Sequence, residues 1–339
     1  MKAFYITSAG NAETRNIPRP AINDDEVLLR VQLVGYCGSD LNTFRGRNPM
    51  ASLPRIPGHE VAATIEDGGD NVPGQFKQGM NVTLSPYTSC GTCPSCRNGR
   101  TNACQFNQTM GVQRDGALTE YISVPWQKLH ASKKLSLSEL AIVEPLTVGF
   151  HAASRGNVCG NDTVAVLGCG AIGLGAISGS AWRGAKVIAV DIDDAKLEIA
   201  KKSGASFTIN TSRQNLHEEL QKLSNGGPDV IIEAIGLPST FKAAVEEVAF
   251  SGRVVYIGYA KEPVSYETKL FVQKELDVRG SRNAQQEDFA DVIRMLEGGG
   301  FPSDRIITHS LPFAKAGDAL ADWDRNPALV TKILIDLYK

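Results

Sequence analysis

Three groups of residues in this 339-residue chain have types and spacings that could do chemistry. The first is sparse: Cys37 in Cys37-Gly38-Ser39-Asp40, His59 and Glu60 in Gly58-His59-Glu60, and Glu144 ahead of Pro145. A soft thiolate, an imidazole and a carboxylate together make a zinc site that can keep one position open for water or substrate, the catalytic kind of site. Zinc there would acidify a bound alcohol so that its carbon can give hydride to a nicotinamide. Taken singly, each residue also has a plainer reading: Cys37 as a small buried hydrophobe, His59 as a satisfied core histidine, Glu60 and Glu144 as surface carboxylates.

The second group is dense. Cys90, Cys93, Cys96 and Cys104 follow the spacing CxxCxxC, then seven residues, then a fourth cysteine, with Gly91, Pro94 and Gly99 supplying tight turns. Four thiolates can wrap one ion tetrahedrally, and a closed site of this kind suits a structural zinc that braces a loop and performs no chemistry. An iron–sulfur cluster of the ferredoxin type would have a shorter last gap and a proline after the final cysteine, and neither is found.

The third group is the glycine pattern Gly168, Gly170 and Gly173, which follows the short β-branched run Thr163 to Leu167 and opens a helix continuing through Leu174 to Trp182. Gly168 permits the tight turn, Gly170 lets the backbone approach a pyrophosphate and Gly173 lets the helix pack close on the strand. The unpaired amides at the helix N-terminus suit phosphates. Gly168, Gly170, Ala171, Ile172 and Gly173 are therefore the expected dinucleotide contacts. Asp191 ends the next apolar run, Val187 to Val190, where an acid accepts hydrogen bonds from the adenosine ribose hydroxyls. Asp193 and Asp194 follow it, and no Arg or Lys comes before Lys196, so NAD is favoured over NADP.

These groups need elements to position them. Residues 1–147 are rich in short β runs, glycine and proline (Glu26 to Val34, Val61 to Glu66, Asn81 to Ser85, Leu118 to Val124) and read as an all-β lobe with long loops. From 148 onward strand and helix alternate, with strands near 164, 187, 207, 229 and 253, which builds a doubly wound parallel sheet in an α/β protein. Glu233 to Gly236 and Ile257-Gly258 fall at the carboxyl ends of such strands, so Ile235, Gly236, Ile257 and Gly258 join the expected cofactor contacts. Helices over Asp288 to Gly298 and Ala314 to Trp323 and a last strand over Lys332 to Leu337 form a tail, 285–339, that returns to the first lobe. A formal charge of −2 gives no basic excess to attract nucleic acid or an anionic membrane, and no long uncharged apolar run spans a bilayer. The N-terminus, Met1 to Ile6, reads as a strand and not as a signal peptide, so a cytoplasmic location is expected. Of the 7 cysteines, Cys159 and Cys169 lie outside both metal groups and read as packing residues. His130, His151, His217 and His309 receive no catalytic role.

In order and spacing, Gly35 to Asp40, Pro57 to Glu60, the four-cysteine lobe, Gly116 to Tyr121, Glu144-Pro145-Leu146 and the Gly168 to Asp191 fingerprint resemble the zinc-dependent medium-chain alcohol dehydrogenases across essentially the whole chain. Glu144 in Glu-Pro-Leu resembles the sorbitol and threonine dehydrogenase branch, where the classical enzymes carry a cysteine. The Arg279 to Asn283 stretch and the Arg45 to Pro49 loop look most like bacterial sugar-acid dehydrogenases such as the L-galactonate and L-gulonate 5-dehydrogenases. The resemblance implies a GroES-like catalytic lobe (1–147 with 285–339), a Rossmann lobe (148–284), a cleft between them and a homodimer or homotetramer. It implies two zinc ions and NAD, with Cys37, His59 and Glu60 or Glu144 at the catalytic zinc and Ser39 taking the alcohol proton. The family often has a histidine five residues after the zinc cysteine; here Asn42 stands there, and an amide cannot pass the proton on. Arg45, Arg47, Arg114 and Arg282 are candidates for a substrate carboxylate. The expected reaction is oxidation of a secondary alcohol on a polyol or sugar acid, against two rivals: an L-threonine 3-dehydrogenase-like enzyme and a non-catalytic NAD-binding regulator.

Overall fold

Strands form where β-branched and apolar residues run together. The computed structural model describes residues 1–339 and sets down β1 (Lys2–Ser8), β2 (Asn11–Asn16), β3 (Glu26–Tyr36), β4 (Glu60–Gly68), β5 (Asn81–Leu84), β6 (Tyr121–Pro125) and β7 (Leu129–Ala131). Next come β8 (Thr163–Leu167), β9 (Lys186–Asp191), β10 (Phe207–Asn210), β11 (Val230–Glu233), β12 (Arg253–Tyr256) and β13 (Asp277–Gly280), followed by β14 (Ile307–Pro312) and β15 (Lys332–Asp336). The chain divides into two compact units, Met1–Glu144 with Ser303–Lys339, and Pro145–Pro302.

In the first unit one sheet runs β14-β15-β3-β4-β5-β7, with β6 also paired to β3, and β1 and β2 make a separate ribbon. Its long strand β3 is buried nearly throughout and is paired on both edges, by β15 and by β4. Val27, Leu29, Val31, Val61, Ala63, Val82, Leu84, Leu118 and Ile335 make its core with Phe4 and Tyr36. The Tyr36 hydroxyl, fully buried, donates to the Ala316 carbonyl, which ties the start of the Ala316–Arg325 helix to this sheet.

The second unit is a parallel six-stranded sheet in the order β10-β9-β8-β11-β12-β13, the doubly wound arrangement in which the strand order reverses beside β8. Thr-Val-Ala-Val-Leu in β8 is buried after its first residue, as a parallel strand covered on both faces must be. The Ala171–Trp182 helix is apolar on every side and buried from Gly173 to Ser180.

Two features depart from the expectation. The stretch 285–302 belongs to the second unit, and the return to the first begins at Ser303. The Gln286–Glu297 helix buries Phe289, Val292, Ile293 and Leu296, and its Asp288 accepts the Gln285 amide and pairs with buried His151 at 2.8 Å, also in the second unit. Strand β13, Asp-Val-Arg-Gly, has no apolar run to announce it and exists because β12 offers an open edge for pairing. No helix is long and apolar enough to cross a membrane.

Candidate active site

Cys37 follows β3 directly and caps the Gly38–Phe44 helix. Asp40, three residues on, accepts the Cys37 amide at 2.9 Å and, with its other oxygen, the Gly58 amide at 3.1 Å. One fully buried carboxyl thus ties the Cys37 turn to the turn that carries His59 and Glu60, at the cost of burial, which pushes its pKa up. A reciprocal cap written Cys-x-x-Asp at the head of a helix is the signal that announces this role.

Glu60 opens β4 and lies directly opposite Gly35 on β3. A Cβ at Gly35 would fall 2.1 Å from Glu60 Oε2, so the absent side chain makes the space in which this carboxylate lies. Lys332, the first residue of β15, reaches past β3 into that space: its Nζ donates to Glu60 Oε1 at 2.5 Å, to Oε2 at 2.6 Å and to the Tyr36 carbonyl at 3.1 Å. Burial opposes the ammonium, but the charges of Glu60 and Cys37 outweigh it and raise the Lys332 pKa.

Cys37, His59 and Glu60 offer ligand atoms within 4.8 Å of one another. His59 Nδ1 is buried and has no hydrogen-bond partner, and the same is true of Ser39 Oγ. Burial alone would lower the His59 pKa, yet the adjoining Cys37 sulfur and the charges of Asp40 and Glu144 raise it well above the ordinary imidazole range. A field that holds a proton so firmly suits any cation, and the orphaned ring nitrogen among soft and hard donors fits zinc. Glu144 stands outside that group of three, although its charge acts on His59. It is buried, accepts a hydrogen bond from the Tyr87 hydroxyl, and has its own pKa raised by burial. Its proximity to the Glu60 charge raises it further.

The four cysteines of the 90–104 loop also converge, with all sulfurs within 4.8 Å and no disulfide among them. Cys93 Sγ lies 3.5 Å from Cys96 Sγ and 3.9 Å from Cys104 Sγ. Those separations are far too long for a disulfide and close to the ~3.8 Å edge of a tetrahedron built on zinc–sulfur bonds of about 2.3 Å. Backbone amides of Cys93, Cys90 and Phe106 donate to the sulfurs at 3.3 Å each, which favours thiolates. Hydrogen bonds from Thr92 pull the Cys90 thiol down to about 6.

In the second unit the three glycines do separate steric work. Gly168 takes φ +99° at the turn, a Cβ at Gly173 would meet the Gly168 carbonyl oxygen at 1.8 Å, and Gly170 has open space where its Cβ would be. That open space at the head of the Ala171–Trp182 helix is what an approaching pyrophosphate requires. Asp191 Oδ2 accepts the Cys169 amide at 2.8 Å and Oδ1 accepts the amides of Ile192 and Asp193, so the acid is oriented by the turn it faces. Its carboxylate keeps acceptor capacity for hydroxyl groups.

Against this geometry stand the comparisons with known proteins. Residues 23–134 match the family described as alcohol dehydrogenase GroES-like domain, and residues 171–298 match the family described as zinc-binding dehydrogenase. The L-galactonate-5-dehydrogenase of Escherichia coli (strain K12) is 33% identical over 301 residues, 88% of each chain. Sorbitol dehydrogenase of Bacillus subtilis (strain 168) is 33% identical over 330 residues, 94% of this chain and 92% of that one. The chain belongs to the zinc-dependent medium-chain alcohol dehydrogenases. Among solved structures, an alcohol dehydrogenase (rspB) of E. coli CFT073 complexed with NADH is 31% identical, with a TM-score of 0.91 over 99% of both chains. A zinc-binding dehydrogenase of Sinorhizobium meliloti 1021 bound to NADP is 30% identical, again with a TM-score of 0.91 over 99% of both.

The remaining candidates of this dehydrogenase are placed less tellingly. Ile235, Gly236, Ile257 and Gly258 lie just past β11 and β12 at the carboxyl edge of the parallel sheet, where Glu233 Oε1 accepts the Ile235 and Gly236 amides. Arg45 pairs with Asp324 at 2.5 Å, and the Arg114 guanidinium donates to the Gln108 and Pro86 carbonyls. Arg282 lies on the loop after β13. The residues that sequence reasoning passed over are Asp40, Tyr87 and Lys332, together with Arg213, which comes in after β10 to pair with Asp194 through both terminal nitrogens. That basic partner was invisible in the run of residues after Asp191.

Proposed function

We propose that this dehydrogenase oxidises a secondary alcohol on a polyol or sugar acid, such as L-galactonate or L-gulonate, to the ketone, reversibly, with NAD as acceptor. The observation that carries the reading is the convergence of half-buried Cys37 with buried His59 and Glu60, with its orphaned imidazole nitrogen and the unpartnered Ser39 hydroxyl two residues on from Cys37. Binding a dinucleotide alone requires none of these, which weighs against a purely regulatory NAD-binding protein.

When bound, zinc supplies the Lewis acidity that makes the substrate hydroxyl a better acid, and the nicotinamide takes the hydride. Cys37, His59 and Glu60 or Glu144 would hold that ion. Ser39 Oγ is the atom we assign to receive the hydroxyl proton as hydride leaves the carbon. Asn42 accepts the Arg47 amide through its backbone carbonyl and offers no titrating group to carry the proton further, so the relay must finish on water or elsewhere. Cys90, Cys93, Cys96 and Cys104 would hold a second, closed zinc. Gly168 to Gly173 and Asp191 would take the pyrophosphate and ribose of NAD, with Ile235, Gly236, Ile257 and Gly258 beside the cofactor.

If Arg45 is the arginine that meets a substrate carboxylate, it must leave Asp324, an exchange that a half-exposed pair permits at small cost. A threonine-like substrate would need an ammonium site as well, and no further carboxylate is arranged for one among the candidates above. Assembly as a homodimer or homotetramer completes the proposal, supported by the outer edge of β13, which no strand of this chain covers and which exposes Val278.

The test is NAD and NADP reduction by the zinc-loaded chain with neutral polyols, L- and D-hexonates and threonine. Turnover of a polyol or hexonate with two zinc ions per chain is expected; turnover of threonine alone, or none with NAD still bound, overturns the reading. Asp191→Ala is expected to reduce the NAD over NADP preference in kcat/KM by about tenfold, the equivalent of about 1.4 kcal/mol of lost ribose hydrogen bonding. An unchanged ratio would show that the ribose is read elsewhere, and the Asp194–Arg213 pair would be the next residues to change.

A further inference from the structure

The four-cysteine loop and Glu144 are joined through one side chain. Tyr87 lies between β5 and Cys90, buried, with its hydroxyl donating to Glu144 Oε1. A buried tyrosine must spend its hydroxyl on some acceptor. Here the acceptor is the carboxylate whose charge bears on His59.

The stretch around Tyr87 is pinned on both sides to the segment that follows the last cysteine. The Pro86 carbonyl accepts the Met110 amide at 3.0 Å and an Arg114 nitrogen at 3.4 Å. On the other side, the Thr88 amide donates to Asn107 Oδ1 at 3.1 Å, and the Gln108 amide donates to Thr88 Oγ1 at 2.7 Å. Asn107 is itself tied to the loop, its amide donating to the Cys104 carbonyl at 3.2 Å. Cys104 Sγ in turn accepts the Cys90 amide at 3.3 Å. The chain of contacts therefore runs from the cysteine cluster to Asn107, to Thr88, to Tyr87 and to Glu144, all within the first unit.

We propose that Tyr87 is a positioning residue for Glu144, and that the four-cysteine loop, closed on its metal, exists to keep Tyr87 in place. The Tyr87 O–H donor on Oε1 restrains the rotation of the carboxyl group, and that rotation decides where its second oxygen points. Partners of this kind behind a metal site change metal affinity or activity by about 10- to 100-fold when removed. The inference rests on the reading of Cys37, His59 and the two glutamates as a zinc centre.

The experiment compares the zinc-loaded wild-type chain with Tyr87→Phe, Glu144→Ala, the double variant and Asn107→Ala. Zinc retention is measured by competition with a chelator, alongside kcat, KM and thermal unfolding. Tyr87→Phe removes one oxygen and keeps the ring. It is expected to loosen one of the two zinc ions by about 10- to 100-fold, and to lower kcat more than it raises KM. In the Glu144→Ala background the same change should do almost nothing further, because the group it acts through is gone. Asn107→Ala, which removes side-chain bonds to Thr88 and Thr109 and none to a cysteine, should loosen the same ion. Wild-type retention in Tyr87→Phe, or losses that simply add in the double variant, overturns the positioning role, and unchanged retention in Asn107→Ala overturns the part given to the loop. A wild-type chain holding one zinc would overturn the metal-centre reading and this inference with it, whereas two zincs held equally well by wild type and Tyr87→Phe would overturn this inference alone.

Discussion

Replacing Cys37 with alanine is expected to lower kcat by about 10³-fold or more, roughly 4 kcal/mol of transition-state stabilisation, while NAD affinity stays within about twofold of wild type. The split follows from where the residues lie. Cys37 sits at the end of β3 in the first unit, and every residue assigned to the dinucleotide lies in the Pro145–Pro302 unit. Loss of the thiolate leaves His59 and two carboxylates, a donor set less selective for zinc. Metal content should fall from about two ions per chain to about one, the remaining ion held by the four cysteines. Zinc analysis, NAD titration by fluorescence and turnover of the substrate found in the panel check the three parts separately. Turnover within tenfold of wild type would remove Cys37 and its metal from the mechanism.

Lys332→Met should destabilise the metal-free protein by about 3–5 kcal/mol, the usual cost of stripping one partner from a buried ion pair. Both side chains are buried almost completely, at 4% and 1% exposure, so solvent screens little of this. The penalty arises mainly from the stranded Glu60 carboxylate, which would keep its burial and lose both hydrogen bonds. In a domain of this size the melting temperature should drop by roughly 6–20 °C. The double variant Lys332→Met with Glu60→Gln should recover most of the loss, since the charge that made the single change costly is gone. Thermal unfolding in the presence of a chelator is the measurement, because a bound cation would stand in for the missing ammonium. A single variant within about 1 kcal/mol of wild type would mean that the pair is solvated.

Much of this was legible in the residues. The glycine fingerprint, the four-cysteine spacing and the apolar runs of β3, β4, β8, β9 and β11 each carry their cause locally, in a turn that needs glycine or a strand that needs branched side chains. What escaped were facts set by distant pairing. Lys332 reads as one charge in an apolar strand until its partner, 272 residues away in sequence, is brought to it. Tyr87 looks like a loop aromatic and gains meaning only against Glu144. The Gln286–Glu297 helix was recognisable as amphipathic, but a periodic apolar stripe does not say which core it will cover. β13 escaped because its residues do not favour a strand, and pairing alone makes it one.

The first unit takes its sheet from both sides of the inserted Pro145–Pro302 segment, with β15 lying against β3. During synthesis the inserted unit has all its strands once residue 280 has emerged, whereas the earlier one still lacks β14 and β15. Domains generally fold as units in the order in which they leave the ribosome. Here the N-terminal portion must wait, and until Lys332 arrives Glu60 has no counter-charge to be buried with. The nascent chain therefore passes through a stage in which its nucleotide-binding half can fold and its chemistry cannot yet be assembled. On the reading of Cys37, His59 and Glu60 as a metal centre, metal is expected to be taken up there only after β15 has joined the sheet.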